Sequence, residues 1–128
     1  MMLRYAIVFA AGGVGYGILE ILYRGHTHWT MLLAGGLCTT LLFFISTWEK
    51  VSMARKCILG GMAITLVEFF AGLIVNIRLH WNVWDYSDRI FNVLGQICPL
   101  FCLLWTILCI PVLYVLRRIS KAVLRNGR

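Results

Sequence analysis

The sequence predicts an all-α polytopic membrane protein, a bundle of four transmembrane helices forming one domain over residues 1–128, and three observations lead to this prediction. Hydrophobic residues make up 61% of the chain and charged residues only 13%, whereas an ordinary soluble domain is roughly 45–50% apolar and 25% charged. The apolar residues form four long runs, and the basic residues gather at the ends of those runs. A soluble fold of this size could not bury so much apolar surface, so much of it must face lipid.

Each of the four runs is long enough to cross a bilayer. A membrane helix needs about 20 apolar residues, because it rises 1.5 Å per residue through roughly 30 Å of hydrocarbon. The predicted helices cover residues 5–23, 29–48, 57–77 and 93–116. Aromatic residues mark several of the expected interfaces, as they do in many membrane proteins. The first run is interpreted as a helix rather than a cleaved signal peptide, because no A-x-A site follows it.

The distribution of cations predicts the orientation. Nine of the twelve cations lie on the side that holds both termini: Arg4, Lys50, Arg55, Lys56, Arg117, Arg118, Lys121, Arg125 and Arg128. The other three are Arg24, Arg78 and Arg89. This bias places both termini in the cytoplasm of a multi-pass cell-membrane protein. The net charge of +7 therefore points to the lipid bilayer as partner, with anionic lipids at the cytoplasmic face and the basic tail 117–128 near them, and not to nucleic acid.

The first and third predicted helices each contain a glutamate, which is costly in a bilayer. Glu20 lies one helical turn before Arg24, so the two side chains can pair. Glu68 has no basic residue within a turn and must face the protein interior, be protonated or meet a partner from another helix. Gly13 and Gly17 form a G-x-x-x-G step that predicts a central position for the first helix, against its own chain, a second copy or another membrane subunit.

The fourth predicted helix contains two prolines, Pro99 and Pro111. Proline lacks the N–H that would bond to the carbonyl four residues earlier, so Gly95 with Pro99 predicts a kink. The kink either only shapes the bundle or presents a free carbonyl to a polar pocket.

The cysteines and histidines leave several readings open. Five cysteines within or beside membrane helices do not form a disulfide framework. Cys98 and Cys102 are expected on one helix face. They are either half of a metal site or small residues that pack in the bundle, and the second interpretation is favoured. The histidines can bind a metal, sense pH or lie at the interface, and the last is favoured. The chain has neither G-x-x-x-x-G-K-[ST] nor a placed G-x-G-x-x-G motif, so it cannot hydrolyse ATP or hold a dinucleotide by those routes. We expect no metal, no cofactor and no enzymatic activity. Energy coupling would need another chain or an ion gradient.

The loop before the fourth predicted helix contains the motif Trp84-Asp85-Tyr86-Ser87. Ser87 is expected to cap that helix, with Asp88 at its first position. The aromatic residues are expected at the membrane interface, and Asp85 has no obvious structural role.

At this motif the chain resembles the CmpB-like family of type IV ABC transporters, which are small four-helix integral membrane proteins. The other matching features are Glu20, Arg24-Gly25, Glu68 within V-E-F-F-A-G, Asn92, Gly95 and Ile97-Cys98. The Gly-Pro and Pro-Ile-Tyr-Gly elements of longer members are absent, and residues 26–31 stand in their place. The resemblance implies a transport role and a site of shared residues in the outer half of the membrane: Glu20, Arg24, Glu68, Trp84, Asp85, Tyr86, Asn92 and Gly95.

The leading hypothesis is a permease-like or accessory transport component with an outward-facing polar pocket. Glu20 and Glu68 would bind a cation, a proton or an amine-bearing headgroup, and Arg24 would pair with Asp85. Three aromatic residues would wall the pocket: Trp81, Trp84 and Tyr86. The alternative is a structural or regulatory module of a larger membrane complex, in which the polar residues only hold the fold together. An intramembrane enzyme would require a nucleophile and a base within reach, and the sequence implies no such arrangement.

Overall fold

Four apolar helices make up the fold in this computed structural model, which describes residues 1–126. They are α1 (Met2–Arg24), α2 (Trp29–Ser46), α3 (Met53–Gly72), which a π-helical segment (Leu73–Arg78) continues, and α4 (Pro99–Asn126). Each helix is long and apolar enough to cross a membrane, and no strand occurs within residues 1–126. The predicted all-α class with four membrane helices is confirmed. Gly127 and Arg128, the last residues of the predicted basic tail, lie outside the described residues.

The bundle has two ends that we name for reference. The terminal end holds the chain termini and the turn between α2 and α3. The loop end holds the turn between α1 and α2 and the long loop of residues 79–98. Gly25 closes α1 at the loop end with φ of 80°, a left-handed conformation that favours glycine.

The first two helices form an antiparallel hairpin whose backbones nearly touch. A Cβ at Gly13 would lie 2.6 Å from the carbonyl oxygen of Leu32, and one at Gly36 would lie 2.8 Å from that of Phe9. Small residues permit this approach between helices in lipid. Within residues 1–126, α1 packs along α2, whereas α2 also packs against α3 and α4. The prediction that the first helix lies at the centre is therefore wrong, because its glycines serve a single partner and leave it at the edge.

The main apolar core lies among α2, α3 and α4. Cys109 and Leu113 of α4 are fully buried, and they pack with Leu42 of α2 and Ile64 of α3. A second cluster near the loop end joins Met31, Val75, Val83 and Trp84. The long loop is therefore packed against the helices at Val83 and Trp84, whereas Ile90 and Phe91 are exposed.

The fourth helix differs from its predicted bounds of 93–116. It begins at Pro99, because residues 93–98 form a turn in which the Val93 amide donates to the Ile97 carbonyl at 2.9 Å. Proline is well tolerated in the first turn of a helix, where its missing N–H would have no partner. The predicted kink at Gly95 and Pro99 is thus a helix start. At the other end α4 continues to Asn126, so the described part of the predicted tail is helical.

The close contact between α1 and α2 predicts a difference between two glycines of the same helix. Gly13→Ala places a methyl group against the Leu32 backbone, whereas a Cβ at Gly15 meets nothing within 4 Å. We expect Gly13→Ala to lower the free energy of unfolding by about 1–3 kcal/mol and Gly15→Ala to leave it nearly unchanged. Thermal unfolding of both variants in detergent measures this, and equal effects would contradict the packing described.

Candidate functional site

A cleft between α1 and α4 extends from the loop end toward the middle of the bundle. It consists of two adjoining cavities of about 480 and 420 Å³, with Glu68 and Trp105 among the residues that line both. We call them the outer and the inner cavity. Charged side chains line the outer cavity: Glu20, Arg24, Glu68, Asp85, Asp88 and Arg89. The inner cavity is lined mainly by small and aliphatic residues, such as Gly12, Ala34, Leu108 and Val112.

Glu68 lies where the two cavities meet, and its side chain is held by donors from two other parts of the chain. Its Oε1 accepts the Tyr86 hydroxyl at 2.7 Å, and its Oε2 accepts the Trp105 indole N–H at 2.9 Å. Glu68 is only 8% exposed. Each carboxylate oxygen can accept more than one hydrogen bond, so lone pairs remain for a ligand. Within residues 1–126 Glu68 has no ion-pair partner.

Aromatic rings surround this carboxylate. The Tyr86 ring stacks on Phe101 with centroids 4.7 Å apart, and Phe101 lies 6.0 Å from Trp105. Tyr16 of α1 lies 6.1 Å from Trp105 on another side. Burial raises the pKa of Tyr86, and the charge of Glu68 adds to this. The Tyr86 hydroxyl therefore remains a proton donor at neutral pH. We call Tyr16, Tyr86, Phe101 and Trp105 the aromatic wall.

The other membrane glutamate is already neutralised. Arg24 pairs with Glu20 at 2.5 Å, one turn away on α1, as its spacing predicted. The same guanidinium donates to the Val83 carbonyl at 2.8 Å and so ties α1 to the long loop. The predicted pair between Arg24 and Asp85 is wrong, because Arg24 is directed to Glu20 and Val83. Glu20 thus contributes a local ion pair rather than a free charge.

Asp85 organises its own turn. Its Oδ1 accepts the Ser87 amide at 2.9 Å and also the Ser87 hydroxyl. These hydrogen bonds lower the pKa of Asp85, which is exposed and therefore ionised at neutral pH. The prediction that Ser87 caps the fourth helix is wrong, since that helix begins at Pro99. The backbone amide of Ser87 instead completes an Asx-type turn with Asp85, and the Ser87 hydroxyl adds a second hydrogen bond to the same oxygen.

Asn92 and Gly95 do not line the cleft. They influence its shape indirectly, because their hydrogen bonds hold the backbone at Tyr86. The Asn92 Oδ1 accepts the Gly95 amide at 2.9 Å, and the Gly95 carbonyl accepts the Tyr86 amide at 2.8 Å. Gly95 has φ of 73°, and a Cβ there would lie 2.9 Å from Oδ1 of Asp85. Of the eight predicted site residues, these two therefore shape the loop, and the other six line the outer cavity.

Two buried amides that the sequence analysis did not assign to the site hold the loop over the end of α3. The Asn76 Nδ2 donates to Gln96 Oε1 at 2.7 Å, and Asn76 Oδ1 accepts the Val83 amide at 2.7 Å. The Trp84 indole donates to the Gln96 carbonyl at 3.0 Å. Asn76 lies in the π-helical segment, a distortion that often occurs at functional sites. An amide within an apolar run was the signal that could have identified it.

Trp81 does not line the cleft, so its predicted place in the pocket wall is wrong. Its ring centroid lies 5.7 Å from that of His28 and 5.8 Å from that of Trp29. His28 caps α2 by accepting the Thr30 amide at its Nδ1. Trp105 has the wall position that Trp81 was expected to fill. A tryptophan within an apolar helix needs an acceptor for its N–H, and Glu68 supplies one.

Comparison with known proteins gives one result. The model of the family described as "Putative ABC-transporter type IV" matches residues 5–127, which include α1 from Tyr5 onward, the other three helices and the whole cleft. No curated protein sequence and no solved structure matches the chain. Since the family match spans nearly the entire sequence, this four-helix membrane protein belongs to the type IV ABC-transporter (CmpB) family.

Proposed function

We propose that this chain is a permease-like or accessory component of membrane transport whose cleft binds a lipophilic cation at Glu68. The observation that carries the proposal is a buried carboxylate with two aromatic donors and no cationic partner among residues 1–126. Membership of a transporter-related family is consistent with this role.

The energetics at Glu68 favour a positively charged ligand. A charged side chain within the bilayer costs about 2.5–3.5 kcal/mol on insertion scales. The hydrogen bonds from Tyr86 and Trp105 offset part of this cost but bring no positive charge. An amine or quaternary ammonium group would neutralise the carboxylate, and aromatic rings attract such cations through their faces. The aromatic wall therefore suits the same ligand as Glu68 does.

The two cavities suit a ligand that has one charged group and several apolar substituents. The charged group would lie near Glu68, where the outer and the inner cavity meet. Apolar substituents would fill the inner cavity, whose walls are formed by residues such as Ala34, Leu108 and Val112. Burial of apolar surface contributes roughly 25 cal/mol per Å² to such binding.

The proposal gives this chain binding and passage, without an enzymatic step, a metal or a cofactor. The sequence has no phosphate-binding loop motif, so ATP hydrolysis would be the work of a separate subunit. The membrane is proposed to be the cell membrane, with both termini in the cytoplasm, as the positions of the cations indicate.

One observation favours the alternative of a structural or regulatory module for part of the site. Glu20, Arg24 and the Val83 carbonyl form a closed set of contacts that holds α1 to the loop. We therefore propose different roles for the two glutamates, a structural role for Glu20 and a binding role for Glu68.

A pair of ions of the same shape tests the role of Glu68. We expect the purified protein in nonionic detergent to bind radiolabelled tetraphenylphosphonium, and to bind the anion tetraphenylborate far more weakly. Glu68→Gln should weaken phosphonium binding at least about tenfold, equivalent to about 1.4 kcal/mol. Glu49→Gln removes the same charge from an exposed position at the terminal end and is the matched control. Unchanged phosphonium binding by folded Glu68→Gln protein would rule out the proposed site.

Glu20→Gln should separate stability from binding. The change leaves the Arg24 guanidinium without its carboxylate, so we expect a loss of about 1–3 kcal/mol in the free energy of unfolding. Phosphonium affinity per folded molecule should stay within about twofold of that of the unaltered protein. Unfolding in mixed detergent micelles and the binding assay above measure the two quantities. If Glu20→Gln reduces affinity as strongly as Glu68→Gln, the division of roles is wrong.

A further inference from the structure

A small pocket at the terminal end is separate from the cleft. It has a volume of about 130 Å³ and lies between the turn after α2 and the last turns of α4. Three cations line it: Lys56, Arg117 and Lys121. We propose that this pocket binds a phosphate group, supplied by an anionic phospholipid headgroup or by free phosphate. The proposal does not depend on the function assigned to the cleft.

Lys56 is the residue that most requires an anion. It is only 2% exposed, and its Nζ donates to the Ser46 carbonyl at 3.1 Å. An ammonium group has three N–H donors, and among residues 1–126 this carbonyl is its one hydrogen-bond acceptor. No carboxylate pairs with it, since the ion pair of the described chain lies at the loop end. A buried ammonium without a counter-charge is unfavourable, and a bound phosphate would supply that charge.

The two cations of α4 that line the pocket also favour an anionic ligand. Arg117 and Lys121 are four residues apart and so lie on one face of the helix, toward Lys56. Glu49 is the one carboxylate among the lining residues, which leaves two positive charges in excess. Such a cluster at the end of membrane helices lies at the depth of lipid headgroups. A phosphate there would receive charge-assisted hydrogen bonds from up to three side chains.

The hydroxyl groups of the pocket add little to recognition. Three hydroxyl groups line the pocket, and each donates to a backbone carbonyl: Ser46 to Phe43 at 2.6 Å, Thr47 to Phe44 at 2.6 Å and Ser120 to Arg117 at 2.9 Å. Their protons are therefore engaged within the helices, and positive charge is the main basis of selection. We expect phosphatidic acid to bind better than phosphatidylcholine, because a choline group would bring another cation to the cluster.

A matched pair of arginine variants tests the proposal. Arg117 lines the pocket, whereas the adjacent Arg118 is exposed and does not. In nonionic detergent, dioctanoyl phosphatidic acid should raise the melting temperature of the unaltered protein and of Arg118→Gln. In Arg117→Gln the concentration needed for half of this rise should increase about tenfold, as expected for the loss of a charge-assisted hydrogen bond. Dioctanoyl phosphatidylcholine should have little effect.

The source of the phosphate follows from a parallel titration with inorganic phosphate. If inorganic phosphate stabilises the protein with the same dependence on Arg117, the site takes free phosphate, and if only phosphatidic acid does so, it takes the lipid. Equal responses of Arg117→Gln and Arg118→Gln to phosphatidic acid would reveal general charge attraction and overturn the proposal.

A variant of the buried lysine gives a second test. Without ligand, the melting temperature of Lys56→Met should be no lower than that of the unaltered protein. Phosphatidic acid should not raise the melting temperature of Lys56→Met. A full response by Lys56→Met would also overturn the proposal.

Discussion

The buried carboxylate of Glu68 connects the parts of the structure on which the cleft depends. It lies on α3, yet its two donors come from the long loop and from α4. Water is scarce at this depth, so donors from the protein must satisfy the carboxylate. Their arrangement determines where Tyr86 and Trp105 point, and with them the position of the aromatic wall. An apolar side chain at position 68 would leave both donors without this acceptor.

The loop of residues 79–98 is shaped by polar contacts rather than by regular structure. Asn76 and Gln96 bind each other and between them hold the backbone of Val83 and the side chain of Trp84. Asn92 and Gly95 then orient the backbone at Tyr86. A buried polar network of this kind is stabilising when all of its members have partners. These contacts therefore hold the part of the loop from which Tyr86 reaches Glu68.

The helices could be predicted from the sequence because hydropathy and length act locally, and the ion pair of Glu20 with Arg24 followed from spacing within one helix. The start of α4 was misplaced because a mainly apolar segment such as residues 93–98 is compatible with a helix and with a turn. The partners of Glu68 come from positions 86 and 105, and no local pattern encodes such contacts. The sequence thus predicted part of the cleft lining: both glutamates and residues 84–86 line the outer cavity, whereas Trp105, Tyr16 and Asn76 were not predicted.

The position of α1 at the edge of the bundle determines how the cleft is closed. Its backbone rests on the glycines of α2, while the main core is formed by α2, α3 and α4. In the described chain, the bond from Arg24 to Val83 is the one side-chain hydrogen bond between α1 and the long loop. The α1 side of the cleft is thus joined to the long loop by one polar contact, from Arg24, and by one aromatic contact, since Tyr16 packs against the cluster that contains Val83 and Trp84.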